Sequence, residues 1–272
     1  MFAFIKDQLN NYGIDNVSCL SLDECVIKRP YLLERNGIDG GSVIIFTVPY
    51  LTKEGAGERN VSSYAVSKDY HLFFSALFKD LINTLEKQFP SNRFTGFTDH
   101  SPIDEIDAAA KAGLGVIGRN HLLITKKYSS YIFIGEIVTD ASLPSFYTAK
   151  KYCLDCGKCI SACPFGMSEG KCLSAITQKK GELDESEKAL IKQGGCAWGC
   201  DICQEICPLT EKAIKDGTIY TSVEFFKNNL TPTLTSQQIE DMDEEDFRAR
   251  AYSWRGKGVI ARNLKILEEK ES

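Results

Sequence analysis

The segment 153-CLDCGKCISACP-164 decides how the second half of this chain folds, because it places four cysteines within a few residues of each other. The cysteines are Cys153, Cys156, Cys159 and Cys163, and Pro164 follows the last one. Three thiolates separated by two residues each can bind one corner of a cubane iron–sulfur cluster. The fourth, set three residues further on and followed by proline, ligates a different cluster.

A second group, 200-CDICQEICP-208, repeats the end of the first pattern. This reciprocal arrangement is typical of a ferredoxin module with two clusters. The spacing assigns Cys153, Cys156, Cys159 and Cys207 to one 4Fe–4S cluster, and Cys163, Cys200, Cys203 and one further cysteine to the other. A ferredoxin would place the missing ligand at position 197, which is alanine here, so the spacing leaves Cys172 and Cys196 open as candidates.

The chain has 11 cysteines, most of them in residues 153–207, and a net charge of −5. An odd number of clustered thiols behind an N-terminus without a signal-peptide pattern indicates metal binding in a reducing cytoplasm rather than a disulfide framework. Zinc is the alternative metal, but zinc sites rarely combine this spacing with a final x3-Cys-Pro. Cys19 and Cys25 lie outside the motif, and we expect both to be buried as small apolar residues.

Patterning predicts three segments. Residues 1–150 combine apolar runs at 42–50 and 131–140, typical of strands, with helical spacing at 69–89 and 102–113. They predict an α/β or α+β domain. Residues 151–210 have little apolar periodicity and are expected to fold around clusters as a ferredoxin-like domain. Residues 211–272 predict a short helical segment, and no run is apolar enough to span a membrane.

Several blocks resemble the epoxyqueuosine reductase family in the same order along the chain. They are 61-VSSYAVSKDYH-71, 99-DHSPIDEIDAAAKAGLGVIGRNHLLIT-125, 156-CGKCISACP-164, 171-KCLSAIT-177, 199-GCDICQEICP-208 and 243-DEEDFRARAYSWRGKGVIARNL-264. The resemblance implies a cobalamin-dependent iron–sulfur oxidoreductase that completes queuosine biosynthesis in tRNA. It also implies an N-terminal cobalamin-binding domain related to that of reductive dehalogenases, in a short form without the helical-repeat extension of some members.

The resemblance also implies site residues. Asp99, in the family's Asp-x-x-Pro motif, would be the proton donor, and we expect burial to raise its pKa so that it carries a proton. A helix N-cap is the alternative role for Asp99. The family's Cys-x-Ser block makes Cys172 the eighth cluster ligand and places Ser174 near the cobalamin. Tyr64, Asp69, Leu123 and Thr125 are the further candidates for cobalamin contacts.

The family's partner is tRNA, bound through its anticodon arm, and an electron donor of the flavodoxin or ferredoxin type is also required. Residues 248–265 contain six basic residues and no acidic one, and they predict the RNA-binding patch. Trp254 is a candidate for stacking on a base, with a buried core position as the alternative. Two other functions fit the cysteine pattern: a cobalamin-dependent reductase of a small molecule, and a ferredoxin-type electron carrier.

Overall fold

A four-stranded antiparallel sheet forms the centre of the N-terminal half. The computed structural model describes residues 1–147, 153–168 and 171–269. The sheet strands are β1 (Asn16–Ser21), β2 (Ser42–Pro49), β3 (Phe94–Phe97) and β6 (Ile132–Thr139), and a separate hairpin consists of β4 (Val116–Ile117) and β5 (Leu123–Ile124). The spatial order β1-β2-β6-β3, with every pair antiparallel, makes this half α+β.

Helices cover the sheet and recur along the C-terminal half of the chain. They are α1 (Phe2–Asn11), α2 (Pro30–Arg35), α3 (Tyr70–Gln88), α4 (Glu105–Lys111), α5 (Lys158–Ala162), α6 (Leu173–Thr177), α7 (Glu185–Gly194), α8 (Ile202–Glu205), α9 (Pro208–Lys215), α10 (Ser236–Asp241), α11 (Glu244–Arg248) and α12 (Lys257–Glu268). Among the described residues, no helix is both long enough and apolar enough to cross a lipid bilayer.

Both faces of the sheet are buried, because α1 and α3 pack on one face and α2 and α4 on the other. All eight residues of β2 are therefore buried, which explains why its sequence is a continuous apolar run rather than an alternating one. Cys19 and Cys25 are buried in these two clusters, which confirms their expected role as small apolar residues. The fold class is the predicted one.

The helix expected over 102–113 begins later than its sequence signals indicated. Asp104 is the N-cap of α4, and its side chain accepts a hydrogen bond from the Asp107 N–H at 3.2 Å. The Pro102 carbonyl instead accepts hydrogen bonds from the backbone N–H groups of Lys28 and Arg29, at 2.8 and 3.0 Å. Asp99 is therefore not the helix cap, and it lies in the loop that precedes the helix.

Residues from the N-terminal half and from the C-terminal half pack together in one apolar cluster. Val61 and Val66 pack with Trp198, Tyr252 and further residues of α10, α11 and α12. The backbone continues this contact, since the Ser62 N–H donates to the Trp198 carbonyl at 2.7 Å. The predicted division at residues 150 and 210 remains a prediction, because the three segments bury apolar surface together.

Candidate active site

A small cavity of about 20 Å³ is lined by all four cysteines that the spacing assigned to one cluster. Cys153 and Cys156 precede α5, Cys159 lies within it, and Cys207 is the N-cap of α9. The helix α8, which carries Cys203, packs against α5, and this packing brings the two distant cysteine groups together. The N-terminal half closes the cavity with Arg119, Asn120 and Ile124.

A second cavity, of about 880 Å³, is lined by Cys163, Cys172, Cys200 and Cys203. Cys172 is the N-cap of α6, which lies at the wall of this cavity. Cys196 does not line either cavity, and its thiol donates to the Trp198 carbonyl at 3.1 Å. The eight predicted cysteines thus lie around the two cavities, with Cys203 at the wall of both and Cys172 rather than Cys196 at the second.

These cavities fit iron–sulfur clusters because each presents four soft thiol ligands in one concave site. Within the described residues, no three His, Cys, Asp or Glu side chains form a ready-made group for a single metal ion. The described cysteines of this region thus lie around two cavities that share Cys203.

The opposite wall of the second cavity comes from the N-terminal half. Ser62, Tyr64, Asn120, His121 and Leu122 line it. Tyr64 and Ser174 were both predicted to approach a cofactor, and the structure places both at this cavity.

Leu123 and Thr125 do not line the cavity, although the sequence placed them with Tyr64 and Ser174. Both are buried, Leu123 in the core beneath the sheet and Thr125 in a turn where its hydroxyl donates to the Ser129 carbonyl at 3.1 Å. His121 and Leu122, which immediately precede Leu123, line the cavity together with Asn120.

The glycines of 113-GLGVIG-118 serve the hairpin rather than a ligand. A Cβ atom on Gly115 would lie 2.5 Å from the Ile124 carbonyl oxygen, and one on Gly118 would lie 2.5 Å from the Asn120 Oδ1. The two strands of the hairpin can approach this closely only when these positions lack a side chain. The close approach places Asn120 where it lines both cysteine cavities.

Asp99 lies in a left-handed backbone conformation, with φ of 58°, in the loop that follows β3. The Tyr70 hydroxyl donates a hydrogen bond to its Oδ2, and the Nε2 atom of His71 lies 3.4 Å from the same oxygen. The Asp69 side chain caps α3 and also contacts His71 Nδ1 at 2.8 Å. Asp69 therefore orients the imidazole that faces Asp99.

The charge state of this group differs from the expectation. Burial raises the pKa of Asp99, but the hydrogen bonds from His71 and Tyr70 together lower it by more. The net pKa of Asp99 is therefore below its ordinary value. Hydrogen bonds to Asp69 and then to Asp99 raise the pKa of His71 to about 10. At neutral pH, Asp99 is thus an anion and His71 a cation, so the expectation of a raised Asp99 pKa was wrong, because two donors outweigh burial.

His71 is the residue whose importance the sequence did not reveal. A single histidine in a sequence is usually a structural residue, so its residue type alone does not indicate a function. A local signal was present, since Asp69 two residues earlier can both cap the helix and bind the ring. Contact with Asp99 required the tertiary structure, because β3 and α3 are separated along the chain.

The network is connected to the second cavity through aromatic packing. The Tyr64 and Tyr70 rings pack edge to face with their centroids 6.5 Å apart. The Tyr64 hydroxyl also accepts a hydrogen bond from the Trp198 Nε1 atom at 2.7 Å. One side of Tyr64 thus faces the cysteine cavity, and the other side contacts the residue that binds Asp99.

The basic segment 248–265 is less uniformly exposed than its sequence suggested. Arg250 is buried, and it donates to the Asn229 carbonyl at 2.7 Å. Arg248 and Lys265 pair with Glu244 and Glu240 at 3.0 and 2.7 Å. Trp254 is 59% exposed, and the Arg255 guanidinium lies 3.7 Å from the centre of its ring. Trp254 therefore lies on the surface rather than in the core.

Comparison with known proteins gives a consistent assignment. Residues 39–100 match the family described as "Epoxyqueuosine reductase QueG, DUF1730", and residues 152–210 match the 4Fe-4S double cluster binding domain. The chain is 31% identical to an epoxyqueuosine reductase of Listeria monocytogenes, covering 98% of this chain and 80% of the relative. It is 32% identical to one from Gloeobacter violaceus, covering 76% of this chain and 68% of the relative.

Solved structures show the same fold. An epoxyqueuosine reductase from Streptococcus thermophilus matches with a TM-score of 0.78 and 23% identity, over 97% of this chain and 80% of that one. Another epoxyqueuosine reductase, solved with an epoxyqueuosine-modified tRNA-Tyr stem loop, matches with a TM-score of 0.76 and 21% identity over the same shares. A catabolic reductive dehalogenase matches with a TM-score of 0.52 and 14% identity, over 95% of this chain and 35% of that one.

The match to the Listeria relative spans nearly the whole chain, and it agrees with the fold that the solved structures share. The chain belongs to the epoxyqueuosine reductase family of iron–sulfur oxidoreductases.

Proposed function

We propose that this protein reduces the epoxide of epoxyqueuosine in tRNA to the alkene of queuosine, with cobalamin and two 4Fe–4S clusters as cofactors. The observation that carries the proposal is the cavity of about 880 Å³, which has four cysteines on one wall and Ser62, Tyr64 and His121 on the other. Such a cavity can accommodate a large group next to a cluster. The related structure solved with a modified tRNA stem loop supports RNA as the substrate.

The two clusters are assigned to the two cavities. Cys153, Cys156, Cys159 and Cys207 would bind one, and Cys163, Cys172, Cys200 and Cys203 would bind the other. Clusters bound by cysteine thiolates transfer single electrons. The electrons would come from a donor protein of the flavodoxin or ferredoxin type.

Cobalamin would occupy the second cavity, where Tyr64 and Ser174 would contact it together with His121 and Leu122. Leu123 and Thr125 would support this wall from behind, and Asp69 would act through His71. When bound, cobalamin supplies a strongly reducing cobalt centre for removal of the epoxide oxygen. The dehalogenase-like fold supports this assignment of the cavity.

The protein's own residues would supply a proton to the departing oxygen. Reduction of the epoxide to the alkene consumes two electrons and two protons and releases the oxygen as water. An alkoxide is a poor leaving group unless it is protonated. Because Asp99 is anionic and His71 cationic at neutral pH, we propose that His71 Nε2 supplies a proton through Asp99 Oδ2, while Tyr70 orients the carboxylate.

The first test replaces the carboxylate and keeps its shape. Asp99→Asn removes the proton relay, and asparagine tolerates the left-handed backbone at this position. We expect turnover of epoxyqueuosine-containing tRNA to fall by about 10²–10⁴-fold. The measurement is nucleoside mass spectrometry on protein reconstituted with iron, sulfide and cobalamin.

Asp104→Asn is the matched control, because Asp104 is a nearby acid that caps α4, and asparagine is an equally good cap. It should retain wild-type turnover. If the Asp99→Asn protein converted the tRNA at the rate of the control, the role of Asp99 would be refuted. If neither the wild type nor the control converted the tRNA, the proposed substrate would be wrong.

RNA would contact the exposed pair formed by Trp254 and Arg255. A base can stack on a surface indole, and a guanidinium can contact a neighbouring phosphate. Arg250 is buried and would contribute to the fold of this surface rather than to RNA contacts. The proposed domains are the same as in the sequence prediction, 1–150 for cobalamin, 151–210 for the clusters and 211–272 for this surface, and the proposed location is the cytoplasm.

Trp254→Ala tests this surface. Loss of one stacked base costs about 1–3 kcal/mol, so we expect tRNA affinity to fall by about 5–150-fold at constant salt. Cluster content should not change, because Trp254 does not line either cavity. The measurement is a binding titration with tRNA followed by fluorescence anisotropy, and Lys212→Met, at an exposed ion pair outside residues 248–265, is the control. Equal affinities in the two variants would exclude stacking on Trp254.

A further inference from the structure

The loop that carries Asp99 is fixed to β6 by two hydroxyl groups. Thr98 Oγ1 donates to the Ile134 carbonyl at 2.9 Å, and Ser101 Oγ donates to Glu136 Oε2. Ser101 Oγ also accepts the Ile103 N–H at 3.1 Å, so this hydroxyl organises the turn as well as attaching it. The loop between these hydroxyls contains Asp99 in its left-handed conformation.

Glu136 is an unusual partner for this attachment, because it is completely buried in the middle of a strand. Its side chain is on the same face of β6 as Ile134 and Val138, which belong to the apolar cluster under α4. Its Oε1 atom has no hydrogen-bond partner within the described residues. A carboxylate in such a place lacks compensation, whereas a neutral carboxyl group costs much less to bury.

The titratable groups around Glu136 oppose its ionisation. Burial raises the pKa of Glu136 to about 8, the hydrogen bond from Ser101 lowers it, and the negative charges of Glu105 and Asp104, at the start of α4, raise it. Cys25 faces it from the other side of the cluster, and the charge of Glu136 in turn raises the pKa of Cys25. The residues opposite Glu136 in the sheet, on β2 and β3, are Ile45 and Phe97, and neither carries charge.

The positively charged side chains near Glu136 bind other groups. Arg29 Nη1 donates to the Ser101 carbonyl at 2.9 Å, and Lys28 pairs with Asp104 at 3.3 Å. Lys111 pairs with Asp107 at 2.7 Å. Among the described residues, no lysine, arginine or histidine forms an ion pair with Glu136.

We infer that Glu136 is a positioning residue for Asp99: in its neutral form it attaches the Asp99 loop to β6 through Ser101, and its deprotonation releases that loop. The attachment itself is a property of the fold, and only its consequence for turnover rests on the proposed function. A buried carboxylate is stabilised by water, and water reaches this position only if the loop above it moves away.

The direction of the pH effect follows from the neutral form. Glutamate is ionised in the unfolded chain above its ordinary pKa, whereas Glu136 retains its proton up to about pH 8. The stabilising contribution is fully present below the unfolded pKa and is lost as pH rises through the folded value. The fraction of open loop should therefore rise with pH from the ordinary glutamate pKa to about pH 8 and stay constant above it.

Hydrogen exchange of residues 98–103 tests the attachment without any cofactor chemistry. The variant is Glu136→Gln, which is nearly isosteric and neutral at every pH, and the control is Thr139→Val, which removes a buried hydroxyl from the same strand but far from the loop. Peptides covering the loop are compared at about pH 7 and about pH 9, one unit above the pKa. The variant and the wild type share the intrinsic pH dependence of exchange, so the ratio of their rates reports the attachment.

At about pH 7 the wild type and the control should already exchange faster than the Gln variant, because glutamate is ionised in the open loop above its ordinary pKa. Between about pH 7 and about pH 9 the ratio of the wild-type rate to the Gln rate should grow about tenfold, and it should level off above the folded pKa. Ser101→Ala should exchange fast at both pH values. A wild-type to Gln ratio that does not change with pH would overturn the inference.

The turnover measurement separates the two proposals. If the exchange ratio changes as expected but no tRNA is converted, the attachment stands and the proposed substrate fails. If tRNA is converted, wild-type turnover should decline between about pH 7 and about pH 9 more steeply than turnover of Glu136→Gln. Conversion together with an unchanged exchange ratio refutes the role of Glu136 and leaves the enzyme assignment intact.

Discussion

The two cysteine cavities differ in size and in what closes them. The first is about 20 Å³ and adjoins exposed surface at Cys156 and Leu154. The second is about 880 Å³ and faces Ser62, Tyr64 and His121 of the N-terminal half. Similar sequence motifs thus produce one narrow site and another with room for a large group beside the cysteines.

The difference teaches that the cysteine spacing determines the ligands but not their surroundings. Both motifs place thiols at the ends of short helices, and neither contains information about the opposite wall. In the second cavity that wall is provided by residues 62–64, which reach the cysteines through the strand-like contact with Trp198. The position of this wall next to the cysteines therefore depends on this contact.

The largest loss of iron and activity is expected when Cys172, one of the cysteines at the second cavity, is replaced. Cys172→Ala removes a thiol ligand, so we expect iron content to fall from about eight to about four atoms per chain and turnover to be lost. The measurement combines iron and acid-labile sulfide analysis with electron paramagnetic resonance of the reduced protein.

Cys196→Ala is the matched control, because Cys196 lies near the same motif but outside both cavities. It should retain about eight iron atoms and full activity. The assignment of Cys172 as a cluster ligand would be wrong if Cys196→Ala lost iron and Cys172→Ala retained it.

A smaller effect is expected at the ion pair that joins the two halves beside the second cavity. Arg59 Nη2 lies 3.1 Å from Asp201 Oδ2, and the Asp201 side chain is only 3% exposed. Asp201 also accepts hydrogen bonds from Ser62 Oγ at 2.5 Å and from the Ser63 N–H at 2.7 Å. Arg59→Met leaves a buried carboxylate without its cation, and we expect it to lower the free energy of unfolding by about 3–5 kcal/mol.

Urea unfolding of the cluster-loaded protein, followed by circular dichroism, measures this loss. Lys212→Met breaks an exposed pair with Asp216 and should change stability by at most about 1 kcal/mol. If the two variants were equally stable, the wall of the second cavity would be attached by its apolar cluster alone. The Arg59–Asp201 ion pair would then make no contribution to holding this wall in place.

Much of the fold was predictable because its signals are local. The strands at 42–50 and 131–140 and the helix at 69–89 appear within a residue or two of their expected positions. The helix expected from Pro102 begins at Glu105 instead, because the Pro102 carbonyl pairs with residues 28 and 29. A contact across seventy residues of chain has no local signature.

The candidate site was also predictable only where its signals lie between neighbouring residues. The eight cysteines were identified from spacing together with the family resemblance, since thiolate ligands of clusters recur at fixed intervals. The charge state of Asp99 was not predictable, because it depends on Tyr70 and His71, which approach from another element and outweigh burial. Leu123 and Thr125 remain predictions as cobalamin contacts, and both are buried, whereas their neighbours His121 and Leu122 line the second cavity.

The amino-acid sequence by itself determined that this chain binds clustered iron and sulfur and that its N-terminal half forms a mixed α and β domain, because ligand spacing and hydrophobic periodicity are properties of neighbouring residues. Only the tertiary structure decided which cavity has room for a larger cofactor, which residue carries the proton beside Asp99, and that Glu136 lies beneath the loop. Those features arise between residues distant along the chain, where burial and charge depend on how the elements pack.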